Sequence, residues 1–289
     1  MDQKRLAWTN VLFLGFSHLM AIGGIVWLCF HWSWSIALLA VLWFGFCGLS
    51  ITGGYHRLFS HPTYKAIWPL RVFYLLFGAA SVQNSALKWS ADHRIHHKFT
   101  DLEQDPYNIK KGFWWAHIGW VLCKGTGVDQ SIVNDLQKDP LVRNQNRFYV
   151  AWALMGGVVL PMIAGALVGD VIGGLLVVGF LRLTVQWHAT FSINSVAHCI
   201  GSQPYDMNGS PRDSWITAIL TLGEGYHNFH HRFAGDYRNG IRWFHLDPTK
   251  WFVWSMSKIG VTRDLRRVSE DAIQRAKVSV QKQRATGNA

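Results

Sequence analysis

Eight of the fourteen histidines in this chain of 289 residues fall into three short clusters: His56-Arg-Leu-Phe-Ser-His61, His93-Arg-Ile-His96-His97 and His227-Asn-Phe-His230-His231. A ninth, His198, follows Asn194 in Asn194-Ser-Val-Ala-His198. On a helix, residues i, i+3 and i+4 share one face, so each H-x-x-H-H presents three imidazoles toward a common point. His56 and His61 are five apart, about 140° around an ideal helix, so they are expected to reach two different metals or to flank a helix end. His198 is a ligand candidate, and Asn194 a partner acting through water. Nine nitrogen donors exceed what one tetrahedral zinc needs, and imidazole ligation with room for oxygen suits iron, two ions being the economical count. The four cysteines, Cys29, Cys47, Cys123 and Cys199, form no C-x-x-C pair and read as packing residues rather than an iron–sulfur or disulfide set.

The elements that must position these histidines are membrane spans. The chain is 49% apolar and only 16% charged, with sixteen tryptophans suited to the boundary between hydrocarbon and headgroups. Four stretches meet the length needed to cross a bilayer, at residues 8–30, 34–54, 149–168 and 171–194, paired as two tight hairpins. Lysine and arginine are absent from both hairpin tips, so the tips face away from the cytosol and both termini lie in the cytoplasm, with residues 55–148 and 195–289 forming a cytosolic cap. The net charge of +11 is then topological and excludes a nucleic-acid role. A fifth apolar stretch, 66–87, contains Pro69, Arg71, Gln83 and Asn84 and is expected to lie at the interface. Crossing there would put the histidine clusters on opposite faces of the membrane. Residues 112–123 read as a second interfacial helix anchored by Trp114, Trp115 and Trp120. No cleavable signal peptide, repeat or low-complexity tract is expected, and the last ten or so residues are expected to fray. His18, His31, His117, His188 and His245 look isolated and structural, whereas Arg182, well inside a span, needs a partner or a water-filled cavity.

At these motifs the sequence resembles the membrane-bound fatty acid desaturases of the delta-9 group that includes stearoyl-CoA desaturase. The likeness extends over nearly the whole chain, through Gly54-Tyr-His56-Arg-Leu-Phe-Ser-His61, Trp89-Ser-Ala-Asp-His93-Arg-Ile-His96-His97, Asp105-Pro106, Asn194-Ser-Val-Ala-His198 and Gly225-Tyr-His227-Asn-Phe-His230-His231. The resemblance implies one all-α membrane domain with four spans, interfacial helices, and a di-iron centre in the cap. Its ligands would be His56, His61, His93, His96, His97, His198, His227, His230 and His231, with Asn194 reaching one metal through water. Gln83, Trp89 and Thr190 match residues lining the bend of an acyl tunnel, and Asp92 would orient a ligand histidine or contact the headgroup. Animal acyl-CoA desaturases carry an arginine, which meets coenzyme A phosphate, where this chain has Ala91. Lipid-linked or carrier-protein-linked acyl groups therefore stand beside long-chain acyl-CoA as the substrate. The compact chain looks like the bacterial branch, which implies a bacterial inner membrane.

The implied reaction is oxygen-dependent: two Fe²⁺ ions, O₂ and two electrons convert a saturated acyl chain into a cis alkene and two waters. The electrons are expected from a separate donor, a cytochrome b5, ferredoxin or rubredoxin with its reductase. A hydroxylase on the same scaffold is the nearest alternative. A membrane metal transporter would distribute its ligands along the depth of the spans instead of gathering them at one end. The family's tunnel stop lies on the second span, three helical turns before the first ligand histidine, at Phe44 here. Phe44→Ala is accordingly predicted to lengthen the preferred substrate by a few carbons without moving the double bond counted from the carboxyl end. Gas chromatography of the products at equal expression checks it; an unchanged profile places the stop elsewhere.

Overall fold

The computed structural model describes residues 5–125 and 130–287. Among the described residues four helices are long and apolar enough to cross a membrane, in two consecutive pairs separated by shorter helices. α1 (Trp8–Phe30) and α2 (Trp34–Ser60) form the first hairpin, the Ser33 hydroxyl capping α2 by accepting from the Ile36 N–H. Then come α3 (Trp68–Ala79), α4 (Ala86–Phe99) and α5 (Pro140–Arg147). The second hairpin is α6 (Tyr149–Leu167) with α7 (Val171–Cys199). α8 (Trp215–Leu220), α9 (His227–Arg232), α10 (Pro248–Lys258) and α11 (Glu270–Ala285) complete the cap. A two-residue antiparallel ladder, Lys65–Ala66 against Thr262–Arg263, is the one departure from all-α structure among the described elements.

Two spans continue past their expected ends. α2 runs to Ser60 rather than residue 54, and α7 to Cys199 rather than 194, and the extensions carry His56 and His198. The last eleven residues of α2, Ser50–Ser60, are π-helical. The fifth apolar stretch does not cross: it breaks into α3 and α4, and Val82 and Asn84, both at positive φ, flank Gln83 in the break. Residues 115–122 form a short π-helical and α-helical run beside the start of α1, where the Ala7 N–H donates to the Leu122 carbonyl at 2.8 Å.

Apolar side chains such as Leu12, Leu19, Leu38, Val41, Val150 and Leu167 point outward from the spans, as a lipid-facing surface requires. The largest buried cluster lies where α2 enters the cap and joins Tyr55, Phe59, Tyr74, Leu75, Leu136 and Val142. Gly54 sits there because a Cβ would come within 2.6 Å of Tyr74 Cβ, so its bare backbone lets α2 and α3 press together. Arg182 is buried and partnered by protein: Nε donates to the Val178 carbonyl at 3.0 Å, and Nη1 to the Ala80 carbonyl at 3.2 Å and Gln186 Oε1 at 3.3 Å.

Two smaller expectations are corrected. The tail is helical to Ala285 with Ile273, Ala276 and Val280 buried, and only residues 288–289 of it lie outside the described residues. Of the four unpaired cysteines only Cys47 packs in the interior, Cys29 and Cys199 being exposed. Phe44 is half-buried, one turn before the buried Cys47 and Gly48.

Candidate metal centre

The extensions of α2 and α7 meet α4 and α9 at one end of the bundle and bring all nine expected histidines together in two adjacent groups. His56, His61, His93, His97 and His230 form one; His96, His198, His227 and His231 form the other. Each H-x-x-H-H is therefore divided, not aimed at one point. Its i and i+4 histidines turn to one group and the i+3 histidine to the other, so α4 and α9 each contribute to both groups. The rings of His97 and His231, one from each group, stack at 4.2 Å.

His56 and His61, expected to reach two different metals or to flank a helix end, share a group, and His61 caps the end of the π-helical segment. The π-helical winding explains it. An i→i+5 hydrogen bond, His61 N–H to the His56 carbonyl at 3.1 Å, brings residues five apart onto one face, where α-helical winding would separate them.

Within each group the Nε2 atoms point at one another. His56 and His230 lie 2.9 Å apart, His61 and His93 2.8 Å, and His97 and His230 2.9 Å. In the second group, His198 and His227 lie 3.1 Å apart, His227 and His231 3.1 Å, and His96 and His231 3.3 Å. Such spacings match neighbouring donors around an ion with bonds of about 2.1 Å. Burial, reinforced by neighbouring imidazoles, holds His61, His93, His97, His227, His230 and His231 well below the usual histidine range, so they stay neutral with a lone pair free at pH 7.

Two outer nitrogens, those of His96 and His198, are fixed by residues the histidine clusters did not reveal. His96 Nδ1–H donates to Asp105 Oδ1 at 2.9 Å. His198 Nδ1–H donates to Ser210 Oγ at 2.6 Å, whose hydroxyl donates in turn to Asp101. Both contacts leave Nε2 as the lone pair, the arrangement a metal ligand needs. His56 Nδ1 lies 2.8 Å from Glu224 Oε2, close enough for a charge contact though not aligned as a hydrogen bond. Burial would raise the Glu224 carboxyl, but His56 and Arg57 outweigh it and hold it at about 2. Asp105 was visible in the sequence only as part of the family likeness. Glu224 and Ser210 had no local pattern to mark them, since each meets its histidine through the fold.

Gln83, Trp89 and Thr190 form a chain: Trp89 Nε1–H donates to Gln83 Oε1 at 3.4 Å, and Gln83 Nε2–H to Thr190 Oγ1 at 2.9 Å. Trp89 also stacks on His93 with centroids 4.9 Å apart, so this polar chain abuts the first group. Asn194 is half-buried one turn before His198. Asp92 does not orient a histidine; its carboxylate faces Lys88 at 3.6 Å, and burial raises it despite that lysine. Among the histidines read as isolated, His31 stacks on Trp27 and His245 on Tyr226. His18, His188 and His117 are instead joined end to end by ring-nitrogen contacts.

Asp213 caps α9 by accepting from the N–H groups of Asn228 and Phe229 at 2.8 and 3.0 Å. Burial raises its carboxyl to about 7 despite those two donors. An acid raised in the folded state contributes stability that is complete below the unfolded carboxylate range and is lost as pH rises toward 7. Replacing it by the neutral isostere in Asp213→Asn should remove that loss. The melting temperature of the variant relative to the parent is predicted to increase from pH 4 to 7 and level off above, measured by differential scanning fluorimetry in detergent. A difference constant with pH contradicts the assignment.

The sequence profile of one family, described as fatty acid desaturase, matches residues 32–261. Acyl-CoA desaturase 1 of Saccharomyces cerevisiae is 47% identical over 245 residues, which cover 84% of this chain and 48% of the yeast protein. The probable acyl-CoA desaturase of Schizosaccharomyces pombe is 46% identical over 250 residues, covering 86% of this chain and 52% of that protein. Stearoyl-CoA desaturase of Homo sapiens is 36% identical over 278 residues, covering 92% and 76%. The chain spans about half the length of the two yeast relatives. These relatives are fungal and mammalian and lend no support to the bacterial branch expected from the sequence.

Proposed function

From the premise that the chain belongs to the fatty acid desaturase family, we propose that it is an integral-membrane enzyme placing a cis double bond, at the delta-9 position, in a long-chain saturated acyl group. The observation that carries this reading is the pair of adjacent histidine groups, five and four strong, at one end of four membrane-length helices. Names of relatives that specify acyl-CoA and stearoyl-CoA support the substrate class.

Two iron ions fit the donor set, because the lone pairs converge in two sets, burial keeps His61, His93, His97, His227, His230 and His231 neutral, and His96 and His198 are anchored at their outer nitrogens. In this reading the nine histidines are the ligands and Asn194 supports one metal through water. When bound, the irons supply oxygen activation, using two electrons from a separate protein such as a cytochrome b5, ferredoxin or rubredoxin. The chain's own residues do the rest. Asp105, Glu224 and the Ser210–Asp101 pair hold imidazoles in register. Trp89, Gln83 and Thr190 hold the acyl chain bent beside the first group, and apolar surroundings keep water from the reacting carbons.

For the headgroup, Ala91 is buried and offers no contact. A cleft of about 750 Å³ lies nearby, bordered by Leu87, one turn before Ala91, and by Arg143 and Arg147 of α5. Two guanidinium groups at the cytoplasmic start of α6 suit the phosphates of coenzyme A, and equally those of a lipid or carrier protein. Asp92 and Lys88 stand on α4 beside Trp89 and would complete the headgroup contacts. Cytoplasmic placement of both termini is part of the proposal and rests on the absence of Lys and Arg from the hairpin tips.

Expression of the chain in a host lacking these unsaturated acids is predicted to yield cis-9 monoenes, with double-bond position read by mass spectrometry in each lipid pool. Hydroxylated products would favour the hydroxylase instead, and no new product would overturn both readings. Asn194→Ala is predicted to lower turnover at least tenfold while leaving most of the iron in place. Unchanged turnover removes Asn194 from the site.

A further inference from the structure

The three histidines His18, His188 and His117 come from three separate elements: α1, α7 and the short run at residues 115–122. His18 Nε2 lies 3.1 Å from His188 Nε2, and His188 Nδ1 lies 3.1 Å from His117 Nε2. His117 Nδ1 lies 2.9 Å from Ser195 Oγ, whose hydroxyl donates to the Phe191 carbonyl at 3.0 Å. His18 Nδ1 lies 2.7 Å from the Leu14 carbonyl, which can only accept, so that nitrogen carries the proton and Nε2 is a lone pair. With the Ser195 proton directed to Phe191, the same polarity runs along the other arm. His117 Nδ1–H donates to Ser195, His188 Nδ1–H donates to His117, and His188 Nε2 is also a lone pair. Two imidazole lone pairs then face each other at 3.1 Å, a separation inside the 2.8–3.3 Å range seen among the nine histidines of the candidate centre.

We propose that His18 and His188 form a further metal site, separate from the nine-histidine centre, which takes a single transition-metal ion of the Zn²⁺ or Cu²⁺ class. Imidazole donors select these ions over the hard cations. The outer nitrogens of both ligands are anchored, one by a backbone carbonyl and the other by His117, as in established histidine sites. His117 is a positioning residue: it acts on the ion only through His188. His188 is exposed and His18 half-buried, so the remaining coordination positions are not filled by packed protein. Ionisable side chains within membrane spans, where an unmatched polar group is costly, are expected to serve such a purpose.

The test uses the full chain in detergent, loaded anaerobically with Fe²⁺, desalted, equilibrated with Zn²⁺, and counted for both metals by mass spectrometry. One Zn²⁺ per chain beyond the iron is expected in the parent, and none in His18→Gln or His188→Gln, with iron unchanged in all three. His117→Ala should keep the site with about tenfold weaker affinity. An unchanged iron count reports that a variant has folded. If a substitution also loses iron, the parent decides: Cu²⁺ added in place of Zn²⁺ should give an electron paramagnetic resonance signal split by two imidazole nitrogens. Equal zinc in parent and folded variants, no zinc beyond the iron in the parent, or a copper signal without two nitrogen couplings would overturn the proposal. The pair would then be a neutral hydrogen bond with His188 Nε2–H donating to His18.

Discussion

Imidazole lone pairs repel at the 2.8–3.3 Å separations found within the two histidine groups, and a bound cation converts that repulsion into attraction. The cap is built around this demand. Nine rings must stay neutral, be buried together, and have their outer nitrogens held so that the inner ones converge. At His61, His93, His97, His227, His230 and His231 burial meets the first requirement by disfavouring the imidazolium form. Acceptors on the outer side meet the last at His96 and His198, through Asp105 and Ser210.

A second buried network ties the centre to the rest of the cap. Arg57, next in sequence to His56, donates to the Tyr237 carbonyl at 2.9 Å and to Asp247 at 3.1 Å, and pairs with Glu224 at 3.0 Å. Glu224 in turn accepts from Asn239 at 2.7 Å. Removing one partner from a buried set of this kind leaves an uncompensated charge and costs about 3–5 kcal/mol. The same carboxylate thus touches a ring of the candidate centre and locks α2 to the segments around α10. Packing of the cap and geometry of the centre are not separable there.

The spans and the nine histidines were legible because both depend on local composition: uninterrupted apolar runs, and imidazoles at fixed spacing. The sharing of rings between the two groups was not. It follows from how α4 and α9 lie against each other, and spacing along one helix cannot report the position of a second. His56 and His61 do flank a helix end, but that they share one group is not legible from α-helical winding, because Ser50–Ser60 winds more widely. Glu224 and Ser210 were invisible because a single carboxylate or hydroxyl carries no pattern. His18, His117 and His188 looked isolated because 99 residues separate the first from the second and 71 the second from the third.

The change of winding within α2 divides one helix into two regimes of tolerance. A π-helical turn behaves as an α-helix holding one additional residue, so loss of a residue between Ser50 and Ser60 would rotate His56 away from His61 and take the first group apart. The outer half, Trp34–Leu49, is α-helical and faces lipid on much of its surface, where side chains can be exchanged without disturbing the histidines. Single substitutions can thus accumulate in one half, while the half that carries the first histidine group admits no insertion or deletion. Relatives are therefore expected to share an unbroken count of residues from Ser50 to His61 and to differ mainly upstream of it.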